Sequence, residues 1–174
     1  MTQAPLWSIF ALDTSSLVRL DGLDRPPPYP TAYSPDERVK TWKGLEALAD
    51  DGRLRLVKQV REELSRWHPT GLGRLSAFPG CRMPRTNNEL RCRYQRLLAS
   101  YPRMIPRDPA RDPADPWLIV SAQQYGLTII TEELPRSARR SRARRGPPIP
   151  DVCDDLGIQW TSLRSLAMAS SWIP

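Results

Sequence analysis

The chain has 174 residues and a mass of 19.8 kDa, which is enough for one ordinary domain. Lys and Arg number 26 against 19 Asp and Glu, giving a net charge of +7 and a pI near 9.8, so we expect attraction to polyanions such as RNA or DNA. Apolar runs such as residues 9–12 fall far below the roughly 18 residues that span a bilayer, and the N-terminus lacks a secretory-signal pattern, so a cytoplasmic protein without a membrane segment is predicted.

The N-terminal third predicts a strand and then a capped helix. Residues 7–13 form a short apolar run that ends in a carboxylate and is followed by Thr-Ser-Ser, which is typical of a buried strand leading into a turn. Ser34 and Glu37 flank Pro35 in the pattern of a capping box, so a helix is expected to begin here. The Asp-Gly pair at residues 51–52 predicts its end.

The middle of the chain predicts a second strand and two further helices. Residues 53–57 alternate polar and apolar side chains, which indicates a strand, and a short helix is expected over residues 60–67. Residues 69–86 are rich in Pro and Gly and predict a loop. Residues 87–101 place apolar side chains on one helical face and predict a helix.

The C-terminal part continues this alternation. A helix is expected over residues 112–126, with Asp112 as its cap, and the β-rich run 127–131 predicts a buried strand. A short helix at 151–157, a last strand at 158–160 and a final helix at 161–169 follow. Strands alternating with helices at these lengths predict an α/β layered domain with a mostly parallel sheet.

The charges are strongly segregated along the chain. Residues 74–111 carry nine basic and two acidic groups, and residues 134–149 carry six arginines and no acid, whereas residues 112–133 carry four carboxylates and no basic group. This partition predicts a cation site beside a polyanion site. The six arginines are candidates for gripping an RNA backbone, although a solvated loop is an equally good interpretation. They are Arg136, Arg139, Arg140, Arg142, Arg144 and Arg145.

Several carboxylates are expected at one edge of the predicted sheet, because ligands gather outside the carboxyl ends of parallel strands. The candidates are Asp13, Glu62, Glu63, Asp115, Glu132 and Glu133. Each alone has an ordinary explanation as a helix cap, an acidic turn or a solvated face. Together they would repel one another unless a hard divalent cation such as Mg²⁺ or Mn²⁺ neutralised them. The combination is the pattern that a metal-dependent nuclease requires.

Four short motifs in this order resemble the PIN domain family. They are Leu-Asp-Thr-Ser at 12–15, Glu-Leu at 63–64, Asp-Pro-Trp-Leu-Ile at 115–119 and Ile-Ile-Thr-Glu-Glu at 129–133. The third motif, with Ile-Pro-Asp-Val-Cys at 149–153, is most similar to a PIN-like subgroup close to the VapC-type toxin ribonucleases. The resemblance implies a three-layer α/β/α domain with a mostly parallel central sheet. It spans nearly the whole chain, so a single domain over residues 1–174 with a basic loop at 134–149 is expected.

The resemblance also implies an activity, a metal-dependent endoribonuclease that uses Mg²⁺ or Mn²⁺ and leaves 5′-phosphate and 3′-hydroxyl ends. Its catalytic and metal-binding residues would be Asp13, Glu63, Asp115 and Glu133. Glu63 is preferred to Glu62 because the family acid directly precedes Leu, and Glu133 to Glu132 because it stands two residues after Thr131. Ser15 and Thr131 would orient the carboxylates or the water molecules bound to the metal. The sequence departs from the commoner family pattern at Ser15, which is usually Asn, and at Glu133, which is usually Asp.

A toxin would act on RNA in the cytoplasm, be blocked by a cognate antitoxin protein and commonly form a homodimer, again by resemblance. Two other interpretations stay open at this point. One is a non-catalytic PIN-like module that binds RNA or a protein through the same basic surface. The other is a housekeeping RNA-processing nuclease with the same chemistry.

Overall fold

The computed structural model of the chain describes residues 8–22, 33–83, 86–104, 113–138 and 146–174. Strands and helices alternate along these ranges. In chain order they are β1 (Phe10–Leu12), α1 (Thr14–Leu20), α2 (Pro35–Asp50), β2 (Leu54–Arg55), α3 (Lys58–Trp67), α4 (Pro69–Ser76), α5 (Asn88–Ser100), α6 (Ala114–Tyr125), β3 (Thr128–Ile130), α7 (Ile149–Leu156), β4 (Trp160–Thr161) and α8 (Leu163–Ala169). Short 3₁₀ turns lie at Pro79–Cys81, Pro102–Met104 and Arg136–Ala138.

The strands form one sheet in the order β2-β1-β3-β4, and every neighbouring pair is parallel. Phe10 pairs with Leu54 on one side and with Thr128 on the other, so β1 and β3 are the central strands. All residues of β1 and β3 are buried, as is typical of parallel strands that are covered on both faces. The predicted α/β class with a parallel sheet is confirmed, and the arrangement is consistent with the three-layer α/β/α fold.

The helices cover a single apolar core built around the sheet. Leu12, Ile129 and Ile130 are fully buried within it, α2 contacts β2, and α6 contacts β3. None of the helices in the described ranges is long and apolar enough to cross a membrane.

The capped helix predicted at residue 34 is confirmed. The Glu37 amide donates to Ser34 Oγ at 3.2 Å, and the Ser34 amide donates to Glu37 Oε2 at 2.8 Å, which completes the capping box. The helix ends at Asp50, and Gly52 then adopts a φ of +65°, a conformation that glycine tolerates best. Local chemistry therefore sets both ends of α2.

The loop predicted over residues 69–86 is wrong for its first half, which forms α4. Pro69 lies in the first helical turn, where its missing N–H removes no helical hydrogen bond. His68 Nδ1 accepts a hydrogen bond from the Gly71 amide at 3.0 Å, and a Cβ on Gly71 would lie 2.8 Å from His68 Cε1. Leu75 is fully buried and anchors the helix to the core. Pro69 and Gly71 are therefore compatible with this helix and do not interrupt it.

The start of α6 differs in detail from the expectation. Pro113 occupies the N-cap position, and the helix begins at Ala114. The predicted cap, Asp112, lies outside the described residues. Gly126 ends the helix in the left-handed conformation, with a φ of +64°, as its position in the sequence predicted.

Candidate active site

Asp13 lies at the carboxyl end of β1, directly beside the end of β3. Its amide donates to the Ile130 carbonyl at 2.9 Å, and the residue is only 4% exposed. It occupies the N-cap position of α1, yet its side chain makes no capping hydrogen bond. Asp13 Oδ2 instead accepts hydrogen bonds from the hydroxyls of Ser15 and Thr131. The carboxylate is therefore held by side chains across the strand ends and does not serve as an ordinary helix cap.

Ser15 and Thr131 tie this carboxylate to the turn that follows β3. Thr131 Oγ1 lies 2.9 Å from Asp13 Oδ2 and 3.5 Å from Ser15 Oγ. The same two hydroxyls accept backbone hydrogen bonds, from the Glu132 amide to Ser15 and from the Glu133 amide to Thr131, each at 3.2 Å. The hydroxyls thus set the position of Asp13 and of the turn together.

The two adjacent glutamates of α3 have different surroundings. Glu63 Oε2 accepts a hydrogen bond from Thr14 Oγ1 at 2.8 Å, and its Oε1 lies 3.4 Å from the Ala114 amide. Glu62 instead forms an exposed pair with Lys58 at 3.3 Å. Glu63 therefore joins α1 to the start of α6, next to Asp13 and Asp115. Sequence reasoning assigned no role to Thr14, although a hydroxyl directly after the strand-end Asp13 was an available signal.

Asp115 lies in the first turn of α6, where the helix dipole favours a negative charge. The residue keeps some exposed surface, but its carboxyl group is enclosed by protein. Desolvation raises the pKa of Asp115 well above its ordinary value, and the negative charges of Asp13, Glu133 and Glu63 raise it further.

The two glutamates after β3 are also separated. Glu133 Oε2 accepts a hydrogen bond from the Ile149 amide at 2.8 Å, at the start of α7. Glu132 Oε1 accepts one from the Leu163 amide at 2.9 Å, at the start of α8, and Glu132 Oε2 lies 3.6 Å from Arg19 Nε. The negative charge of Glu133 raises the pKa values of Asp13 and Asp115. Glu132 instead connects α8 to α1.

Four carboxylates at this edge of the sheet influence one another through their negative charges. Burial raises the pKa of Asp13 to about 6; the hydrogen bonds from Ser15 and Thr131 oppose this shift, and the charges of Glu133 and Glu63 add to it. Among the described residues, the charged groups with the largest effects on Asp13 and Asp115 are carboxylates. The structure therefore brings together Asp13, Glu63, Asp115 and Glu133, the four acids chosen from the sequence.

The donor chemistry of these acids fits a hard cation, since every available ligand is an oxygen. Their placement is not yet that of a ligand set: in the described part of the chain, no group of three His, Cys, Asp or Glu side chains is arranged to hold a metal. Glu63 accepts a hydrogen bond from Thr14, and Glu133 accepts one from Ile149. A carboxylate that accepts one hydrogen bond can also bind a cation.

Most of the arginines predicted to bind RNA lie outside the described residues. Arg136 is exposed and pairs with Asp151, its amide 3.0 Å from Oδ1 and its Nε 3.5 Å from Oδ2. The other five, Arg139, Arg140, Arg142, Arg144 and Arg145, lie outside the described residues. Arg136 and Asp151 are close to the start of α7, where Glu133 is held, so Arg136 lies near the carboxylates.

Residues 10–172 match a family described as "Domain of unknown function (DUF4411)". No curated protein matches the chain. The match includes the whole sheet and each of the four converging carboxylates.

Proposed function

The chain belongs to the DUF4411 family. From the residues of its own site, we propose that it is a Mg²⁺- or Mn²⁺-dependent endoribonuclease. Its substrate is the RNA phosphodiester backbone. Asp13, Glu63, Asp115 and Glu133 hold the cation and carry the catalysis. The resemblance of the four acidic motifs to PIN domains points in the same direction.

The observation that carries the proposal is the convergence of mutually repelling carboxylates. Asp13 and Asp115 are desolvated, and each is further destabilised by negative neighbours. Ionising Asp13 in this environment opposes folding by about 3 kcal/mol, taking 1.36 kcal/mol for each pK unit of the shift. A bound divalent cation removes this penalty, and oxygen donors are the ligands that Mg²⁺ and Mn²⁺ prefer.

Hydroxyl groups orient two of the proposed ligands. Asp13 presents a carboxylate whose orientation is held by Ser15 and Thr131. Thr14 holds Glu63 in the same way. When bound, the cation supplies Lewis-acid stabilisation of the charge that develops on the phosphodiester oxygens and activates the attacking water.

The biological setting proposed is that of a toxin of the VapC type, acting on cytoplasmic RNA and blocked by a cognate antitoxin. A homodimer is proposed with it. The arginines at 136–145 contribute attraction to the RNA backbone. A housekeeping RNA-processing nuclease would use the same residues, and it is distinguished by physiology: the toxin arrests growth when expressed without its antitoxin, and Asp13→Ala relieves the arrest.

One observation favours a second candidate, a non-catalytic module that binds RNA or a protein. In the ranges that the structure describes, no three potential ligands are arranged to hold a metal, and Glu63 and Glu133 already have hydrogen-bond partners. Such a module would keep the basic surface and bind RNA without cleaving it.

Cleavage of a labelled single-stranded RNA separates the two candidates. We expect cleavage by the purified chain in Mg²⁺ or Mn²⁺, none in EDTA, and products with 5′-phosphate ends. Asp13→Asn and Glu63→Gln should abolish cleavage, whereas the matched control Glu62→Gln, on the adjacent and exposed residue, should cleave like the wild type. Full activity of Asp13→Asn would refute the assignment, and RNA binding without cleavage in either metal would establish the module.

A further inference from the structure

A groove of about 310 Å³ lies at the carboxyl end of β2, beside the carboxylate cluster. Its walls come from the β2–α3 junction, from the segment near residue 82 and from α6. Among the described residues that line it, the charged ones are Lys58, Arg61 and Arg82, and none is Asp or Glu. We call this feature the basic groove, defined by these three residues and Trp117.

The cations of the basic groove keep most of their charge available. In the described part of the chain, the side chains of Arg61 and Arg82 make no hydrogen bond and no ion pair. Lys58 pairs with Glu62, but the two side chains are 74% and 45% exposed, so the pair is weak. Arg82 reaches the groove because its backbone forms a parallel bridge with Leu56, at the end of β2.

An aromatic wall faces these cations. Trp117 lines the groove and stacks on Tyr94, with ring centroids 4.1 Å apart and an interplanar angle of 19°. The stacked pair gives a rigid, flat surface, and Met83 and Leu90 extend its apolar part. Cations that track a backbone beside aromatic side chains are the usual elements of a single-stranded nucleic acid site.

The basic groove adjoins the carboxylates through two helices. Gln59 lines the groove and Glu63, four residues later on α3, joins the cluster about 6 Å further along the helix axis. On α6, Asp115 belongs to the cluster and Trp117 to the groove. The ends of β2 and β1 are also adjacent, because the two strands pair in parallel. The groove and the acids therefore lie on neighbouring parts of α3 and of the sheet edge.

We infer that the basic groove holds the backbone of single-stranded RNA next to the bond that is cut, with phosphates on Lys58, Arg61 and Arg82 and a base or ribose against Trp117. This inference rests on the proposed function and names the part of the fold that positions its substrate. The larger cleft near Arg136, of about 480 Å³, is a poorer fit to a polyanion. Of the described residues that line it, two are arginines and three are aspartates, Asp151, Asp154 and Asp155.

The test measures binding of a fluorescent single-stranded RNA to the full chain, in an Asp13→Asn background so that no cleavage occurs. The groove variant combines Lys58→Gln, Arg61→Gln and Arg82→Gln. A control variant removes the same charge from exposed cations outside the groove. These are Lys43→Gln, Arg66→Gln and Arg96→Gln. Thermal melting of both variants establishes that they fold.

The groove variant should bind at least about tenfold more weakly at low salt. Its slope of log Kd against log salt should fall by about 2, since each phosphate that a cation neutralises on a single strand contributes about 0.7 to that slope. The control variant should keep the wild-type slope. The inference is overturned if the groove variant keeps its affinity for RNA or if both variants are weakened equally. Either result also covers the case in which a protein, and not RNA, occupies the groove. The readout is independent of catalysis, so failed cleavage with intact groove binding refutes the nuclease alone.

Discussion

Replacing Asp13 by Asn should stabilise the metal-free protein at neutral pH, although it removes a residue of the proposed site. The Asp13 carboxyl is buried, and its pKa rises from 3.8 to about 6 on folding. The folded state therefore binds the proton more tightly than the unfolded state does. The ionisation penalty is absent below the unfolded pKa, grows between the two values and is complete above about pH 6.

The magnitude follows from the size of the shift. A rise of about 2 pK units corresponds to about 3 kcal/mol, at 1.36 kcal/mol for each unit. The shift already includes the hydrogen bonds from Ser15 and Thr131, and burying the Asn amide in place of the neutral carboxyl offsets about 1–2 kcal/mol of the gain. We expect a net gain of about 1–2 kcal/mol, or roughly 3–6 °C in Tm for a chain of this length.

Chemical denaturation in EDTA measures this gain as the difference in free energy of unfolding between Asp13→Asn and the wild type. The difference should be largest at about pH 7.5, fall as the pH is lowered and change sign towards about pH 3, where the wild-type carboxyl is protonated in both states and only the cost of burying the amide remains. Glu62→Gln is the control, because its carboxylate is exposed beside Lys58. A destabilised Asp13→Asn at neutral pH, or a gain that does not depend on pH, would contradict the reasoning.

Three further outcomes are expected from the same site. Mg²⁺ or Mn²⁺ should raise the Tm of the wild type at neutral pH but leave Asp13→Asn nearly unchanged, which differential scanning fluorimetry measures; equal shifts would argue against a site at Asp13. Thr131→Ala removes a hydrogen bond to Asp13 and should weaken Mn²⁺ binding by about 10–100-fold in a titration, with Thr131→Ser close to wild type. Glu132→Gln weakens a hydrogen bond to the start of α8 and should lower the free energy of unfolding by about 1 kcal/mol while cleavage persists. Glu133→Gln weakens a comparable hydrogen bond to the start of α7 but should in addition abolish cleavage. Loss of cleavage in both variants would show that the two glutamates are not separated in function.

Much of the fold could be predicted from neighbouring residues. The capping box at Ser34 and Glu37 joins groups three residues apart, so the sequence contains the whole interaction. The apolar runs that became β1 and β3 are buried on both faces, which makes them recognisable without knowledge of their partners. The helix α4 was missed because its start depends on His68, whose Nε2 lies 2.9 Å from Asp21 Oδ2 in a distant part of the chain.

The candidate site, too, could be predicted only in part from the sequence. By itself the sequence determined that acids follow two apolar runs and lie on two helices, and that basic segments flank the acidic segment 112–133. Only the tertiary structure decided which oxygens meet, because Asp13 and Thr131 are 118 residues apart and their contact exists only once β1 and β3 pair. Likewise, the β2 bridge brings Arg82 beside Lys58 to form the basic groove, a juxtaposition that composition alone does not contain. Charge along a chain is a local property, whereas charge in a site depends on distances that pairing of the strands creates.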